Sequence, residues 1–461
     1  MNRTLPACTF AAALSLAASV LGAQARLQPL AYTIHVRTPA EKAFDVDVVV
    51  PTDRRDSIFM MMPVWSPGMY TLQSYGDRVT AISAKGPDGT ALDVSRVSPS
   101  RWVVKTKKQP SVTVTYRVGA ARGTNLSSGV TDTSLVIIGP ATYMTLADSP
   151  DRPADVRLDV PAGWKPAATS LAAAPDGAKN HFVAPNYDVL ADSPILDGTH
   201  VTVSGFTVAG VSHRWAYLGD SEWPADSAAA WVKPLVEEHA RFWGALPLDN
   251  YVFLNIVTGA GPGSGVEHLN SVAINTNGKR PADIGWFRQA AFISHEYFHA
   301  MNVKRLRPVE LGPFDYEHTA ASGQMFERVP RDKSVDYYVK GPVVGLVLDA
   351  NIRKTTNGKK SMDDVIRAEY RRWSGKRGFT AQDFAKTASD AAGIDLVPPL
   401  HELVASTGEV DYAEMLPYFG LRFSGGDDPK TAWTLQIRPD VSADQTAHLK
   451  ELLARSEGAK R

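Results

Sequence analysis

One short run of the chain carries residue types that could do chemistry together. His295-Glu296-Tyr297-Phe298-His299 reads H-E-x-x-H. On a helix, positions i and i+4 share a face, so both imidazoles can be aimed at one ion. Neutral imidazole nitrogens suit Zn²⁺, which lowers the pKa of a bound water and polarises carbonyls. Glu296, next to the first histidine, is placed to take the proton of the attacking water and pass it to a leaving amine, not to bind metal. A catalytic zinc needs three protein ligands and an open position, so this run supplies two of three. In the N-terminal half, His35, His181, His200 and His213 are scattered singly and read as structural or solvent-facing.

The motif has the context it needs. Asp283 to Asn302 reads as an amphipathic helix with Trp286, Phe287, Ala290, Ala291, Ile293 and Phe298 on its apolar side. Around it, Asp226 to Leu246 has helical spacing, Tyr251 to Val257 is a buried strand, and Gly341 to Arg353 is a second apolar helix. Ser361-x-x-Asp364 and Thr380-x-x-Asp383 resemble capping boxes and each predicts a helix start. A strand at Trp433 to Ile437 and an amphipathic helix from Ser442 to Arg455 end the chain. Before residue 212 the pattern differs. Tyr32 to Val36, Phe44 to Val48 and Val112 to Tyr116 alternate every second residue, and Pro87-Asp88-Gly89 and Ser66-Pro67-Gly68 mark turns. That pattern predicts an antiparallel β-sandwich-like domain. The expected organisation is α+β: a β domain over 26–212, a mainly helical catalytic domain over 213–425, and a strand–helix tail over 426–461.

Residues 1–25 read as a secretory signal. Arg3 is the positive start, Phe10 to Leu21 the apolar run, and Ala23-Gln24-Ala25 a small-x-small cleavage site. The single cysteine, Cys8, leaves with it, so no disulfide and no cysteine nucleophile is expected in the mature chain. No later segment is apolar enough to span a membrane, and the protein is expected to be exported, periplasmic or secreted. The 461 residues hold 49 basic and 49 acidic side chains, a formal charge of +0, which argues against a nucleic-acid partner. No G-x-S-x-G elbow, P-loop or dinucleotide fingerprint is present; the glycine-rich stretch Gly259 to Ser264 fits none of them.

A longer stretch then becomes specific. His295 through Pro308, HEYFHAMNVKRLRP, resembles the H-E-[FY]-F-H-x-x-N-V-K-R-[IL]-R-P signature of the M61 (glycyl aminopeptidase) peptidase family. Four other segments are similar to family segments: Pro63 to Tyr70 (P-x-W-x-P-G-x-Y), Ala184 to Pro194 (A-x-x-Y-D-x-L-x-D-S-P), Gly263 to His268 (G-G-L-E-H) and Tyr337 to Gly341 (S-Y-Y-x-K-G). The resemblance implies an N-terminal β domain followed by a thermolysin-like zinc peptidase domain, with peptides as substrate. It implies that an edge strand ahead of the zinc helix, carrying Gly265 and Glu267, pairs with the substrate backbone. Glu267 would hold the substrate ammonium, and Tyr338 would donate to the tetrahedral oxyanion.

The departure from the family lies between these segments. The family's third ligand is a glutamate within W-x-x-E-G-x-T-x-Y-Y, which is not found here; Glu317 and Glu327 are the candidates left for that role. The loss of a helix there is expected to uncover Val343, Val344, Leu346 and Val347. The residues after Phe423 are too few for the PDZ domain of many relatives, so a shorter branch is expected. Two functions follow: an exported zinc aminopeptidase with one Zn²⁺, or a degenerate, non-catalytic relative that binds peptides in the same cleft.

Overall fold

The computed structural model describes residues 27–66, 73–120, 123–259, 263–281, 285–309, 337–375, 378–406, 410–412, 415–425 and 434–453. The signal segment, Pro67 to Tyr70, Glu317 and Glu327 therefore lie outside the described residues.

Alternation builds the N-terminal half. Strand β1 (Leu30–His35) buries every second residue, as do most positions of β2 (Ala43–Pro51) and β3 (Ser111–Gly119). These belong to an eight-stranded sheet, and two four-stranded sheets pack with it around one core that includes Tyr32, Phe44, Met60, Trp102, Tyr116 and Tyr143. The expectation of an antiparallel domain needs one correction. β1 runs parallel to β4 (Ala154–Asp159), with Leu30 opposite Ala154. A parallel neighbour requires a long crossover, and the whole of 36–153 serves as one.

The second half starts with a hairpin. Strands β5 (Val201–Val208) and β6 (Val211–Leu218) pair antiparallel, and β6 then runs parallel to β7 (Asn250–Val257). β7 runs parallel to β9 (Ser271–Thr276), and β8 (Ser264–His268) closes the sheet antiparallel to β9. The order is β5-β6-β7-β9-β8, so β8 is an edge strand. The boundary expected at 212/213 falls inside this hairpin, whose two strands both belong to the five-stranded sheet. Ala216, Leu218, Val252, Leu254 and Ile256 on this sheet join the core of the β domain. The other face carries Trp215, Tyr251, Phe253 and Ile274, covered by helices α2 (Ala225–Trp243) and α3 (Trp286–His299). α1 (Tyr187–Ala191) is a short helix in the β domain, capped by the Asn186 side chain on Val189 N–H.

The remaining helices are α4 (Tyr337–Thr356), α5 (Met362–Trp373), α6 (Ala381–Ala392), α7 (Val397–Ala405), α8 (Met415–Tyr418) and α9 (Ala443–Leu453). Both expected capping boxes form: Ser361 N–H donates to Asp364 at 3.0 Å, and Thr380 N–H to Asp383 at 3.0 Å. The face of α4 expected to be bare is half-buried. Val344 packs against α5–α7, while Leu346 and Val347 pack with Met415, Phe419, Leu449 and Leu452, so the C-terminal segment does part of the covering. No described helix is long and apolar enough to cross a membrane.

One buried group in this helical region is unpaired. Glu369 on α5 is fully buried, and neither carboxyl oxygen finds a hydrogen-bond partner among the described residues. Burial pushes its carboxyl up to about 8, ahead of the opposing pull of Arg372. A carboxyl raised in the fold costs stability once pH passes its unfolded value near ~4.3, and the cost grows until the folded value is reached. Glu369→Leu should therefore raise the urea midpoint at pH 8.5, by an equivalent of about 1–3 kcal/mol. The gain should shrink toward pH 5, as urea titrations at the two pH values will show.

Candidate active site

α3 is held from below before it offers anything to a ligand. Its buried side is Ile293, Glu296 and Tyr297, continued by Ala300 and Met301. Trp286, Phe287 and Ala291, expected on the apolar side, are instead exposed, Trp286 leaning on Trp231 and Trp223. Tyr297 sits among Tyr251, Phe253 and His239, and its hydroxyl lies 2.8 Å from His213 Nε2. His213 Nδ1 faces the Val211 carbonyl at 3.0 Å, so Nδ1 carries the proton and Nε2 accepts from Tyr297. Burial drives both His213 and His239 down to about 4, so both are neutral pillars at neutral pH. His239 Nε2 pairs with Ser294 at 2.9 Å. The other single histidines are also structural: His35 bridges Asp47 and Asp159, His181 bridges Asp155 and Asp176, and His200 pairs with Asp220.

On the open side of α3, His295 and His299 turn the same nitrogen toward each other, with Nε2 to Nε2 at 3.0 Å. His299 Nδ1 meets the Asn302 carbonyl at 3.0 Å, which fixes the proton on Nδ1 and leaves Nε2 as a lone-pair donor. Zinc–nitrogen bonds of about 2.0–2.1 Å in a tetrahedral site put two ligand nitrogens roughly 3.3 Å apart, so this pair fits one ion. No cluster of three metal-ligating side chains occurs among the described residues, and both third-ligand candidates lie outside them.

Glu296 lies under the edge strand. It is buried, and its Oε2 has no hydrogen-bond partner among the described residues. Burial, then the charge of Glu267, pushes its carboxyl up to about 8. Gly265 of β8 lies directly over it: a Cβ there would sit 2.2 Å from the Glu296 carboxyl carbon. The strand can approach the carboxyl this closely only because position 265 has no side chain. Glu267, two residues along β8, is half-buried and acts electrostatically on both Glu296 and His295. The structure thus gathers His295, His299, Glu296, Gly265 and Glu267 on α3 and β8. Tyr338 opens α4 and is 63% exposed, on a helix that packs against α5, α7 and α8.

What the sequence reading did not assign is the clamp around these residues. Asp192, just past α1, is buried and receives Lys304 Nζ at 2.8 Å, His268 Nδ1 at 2.8 Å and Leu269 N–H at 2.8 Å. Burial raises its carboxyl, but Lys304 and then His268 outweigh that and hold it at about 2. Arg305 donates to the Leu269 and Ala300 carbonyls at 2.6 and 2.8 Å and to Asn270 at 2.7 Å, tying the β8–β9 turn to the end of α3. Each of Asp192, His268, Lys304 and Arg305 stands inside a segment matched above, so the signal was present as letters without a role.

The geometry is a helix carrying a convergent histidine pair, packed beneath an edge strand that seats an acid over a second acid. Residues 31–199 match the Peptidase M61 N-terminal domain, and residues 288–328 match the M61 glycyl aminopeptidase domain. The second match contains His295, Glu296 and His299 as well as Glu317 and Glu327. An aminopeptidase N family protein from Idiomarina loihiensis has a similar fold, with 21% identity and a TM-score of 0.77, over 85% of this chain and 78% of that one. An M1 zinc metallopeptidase from Deinococcus radiodurans aligns with 13% identity and a TM-score of 0.49, over 82% of this chain and 94% of that one. No curated protein sequence matches the chain. The chain thus carries matches to both domains of the M61 peptidase family, one over the β domain and one over the histidine helix.

Removing one member of a buried ion pair leaves the other charge stranded, at a cost of about 3–5 kcal/mol. Asp192→Ala should lose stability on that scale in urea titration. Because the Asp192 carboxyl is depressed in the fold, wild-type stability from this group is complete above ~pH 4 and drains away as pH falls toward 2. The deficit of the variant should narrow over that window.

Proposed function

We propose that the protein is an exported zinc-dependent peptidase of aminopeptidase type. The observation that carries this reading is the convergence of His295 and His299 Nε2 atoms at 3.0 Å on the helix that also carries the buried Glu296, whose Oε2 has no hydrogen-bond partner among the described residues. Zinc would be held by His295 and His299, with Glu317 and Glu327 as candidates for the third ligand. When bound, it would supply an activated water and polarise the scissile carbonyl.

The chain's own groups do the rest. Glu296 accepts the proton of the attacking water and delivers it to the leaving amine; its burial and the nearby Glu267 charge raise its basicity toward that task. The free edge of β8 offers backbone donors and acceptors to an extended peptide, in the manner of an added strand. Glu267 holds the substrate α-ammonium by ion pairing, which favours a free N-terminus over a blocked one. Tyr338 is the donor proposed for the developing oxyanion, a contribution worth ~3 kcal/mol in such sites. The signal-like residues 1–25 support export to the periplasm or medium.

Elemental analysis of the purified mature protein should give about one zinc per chain; folded protein without bound zinc would sink the reading. Glu296→Gln should retain the zinc while peptide turnover falls by at least ~100-fold, because the proton acceptor is lost and both ligands remain. Gly265→Ala drives a methyl group into the Glu296 carboxyl, and a misplacement near 1 Å costs on the order of 100-fold. That variant should also bind zinc normally and lose turnover.

A further inference from the structure

The β domain touches the edge strand at its start as well as its end. Asn125 lies in the loop between β3 and the strand Gly129–Thr131, yet it is buried, 2% exposed, at the first residue of β8. Its side-chain amide donates to the Ser264 carbonyl at 3.1 Å and approaches Ser264 Oγ at 3.3 Å. Its backbone N–H donates to Asn275 Oδ1 at 3.0 Å, and Asn275 Nδ2 returns a bond to Asn125 Oδ1 at 2.5 Å. Asn275 is the β9 residue opposite Ser264 in the ladder. The two asparagines therefore lock around the opening pair of the hairpin with both amides engaged.

The loop is a firm mount. Val130 N–H bonds to the Ala120 carbonyl at 3.0 Å across its base, and Thr124 and Ser127 bond to each other across its tip at 3.0 Å. β8 needs such a mount because, among the described residues, its ladder has one side only. Ser264 directly precedes Gly265, which lies against Glu296, and stands three residues from Glu267. A shift of the strand start would change the fit of both to anything bound along β8.

From this geometry we infer that Asn125 is a positioning residue of the active site: a β-domain side chain that sets where the substrate-pairing strand lies. The inference rests on the peptidase reading for its kinetic consequence, although the bracing itself does not. Glu296 is fixed by its own helix, so loosening β8 should weaken substrate capture more than it slows chemistry. The expected result for Asn125→Ala is a KM about tenfold higher with kcat within about twofold, and faster hydrogen exchange confined to residues 264–268. Ser264→Ala keeps the carbonyl acceptor and loses only the longer contacts to Oγ, so its KM and its exchange at 264–268 should rise less than those of Asn125→Ala.

Peptide kinetics and hydrogen-exchange mass spectrometry on the mature chain decide the matter. Unchanged exchange at 264–268 overturns the inference. So does faster exchange there with KM unmoved, or faster exchange throughout with a lowered thermal midpoint, which marks an ordinary structural role. A wild type that hydrolyses no peptide refutes the peptidase reading, and the local exchange of Asn125→Ala then decides the bracing by itself.

Discussion

Asp192 is a carboxylate taken out of water, and the fold organises itself around the need to satisfy it. A lone buried charge of this kind is too costly to keep, so the site exists only when Lys304, His268 and the Leu269 N–H arrive together. Those partners come from three places: Asp192 from the β domain, His268 and Leu269 from the end of the edge strand, and Lys304 from the turn after the histidine helix. Satisfying one carboxylate thus fixes the relative position of the elements that carry Glu267, Glu296 and the histidine pair. Arg305, bonded to both the β8–β9 turn and the end of α3, tightens the same joint.

The packing beneath α3 is of a different kind. Tyr297, Tyr251, Phe253, His213 and His239 form an aromatic floor in which Tyr297 bonds to His213, while His213 Nδ1 and His239 Nε2 turn to Val211 and Ser294. Because both imidazoles are neutral, this floor adds no charge near Glu296. Among the described residues, the charge that acts on the Glu296 carboxyl is that of Glu267, on the edge strand. Separation of roles follows from the helix geometry: positions 295 and 299 face outward together, and position 296, a hundred degrees round, faces the strand. A single helical turn therefore presents two nitrogen donors on one side and a desolvated acid on another.

Much of this was legible in the letters. The H-E-x-x-H spacing on an amphipathic helix gave the histidine pair and the acid, because helical periodicity is local and fixes which residues share a face. Capping boxes at Ser361 and Thr380 were read correctly because they too are local, joining residues three positions apart. Less legible was which side of α3 was core at its start: Trp286 and Phe287 are apolar but exposed, because an apolar letter does not say whether a neighbouring element reaches it. The parallel pairing of β1 with β4 was also invisible, because alternation states that a residue is half-buried and not which strand lies beside it.

The sequence by itself determined which residue types share one helical turn, since helical spacing is local and fixes their common face. Only the tertiary structure decided what the polar residues outside the motif hold in place. Asn125 and Asp192 are far from His295 in the chain, and no periodicity links them to it. They act on the site because desolvated polar atoms must find partners in three dimensions, and the partners they find are the two ends of the same edge strand.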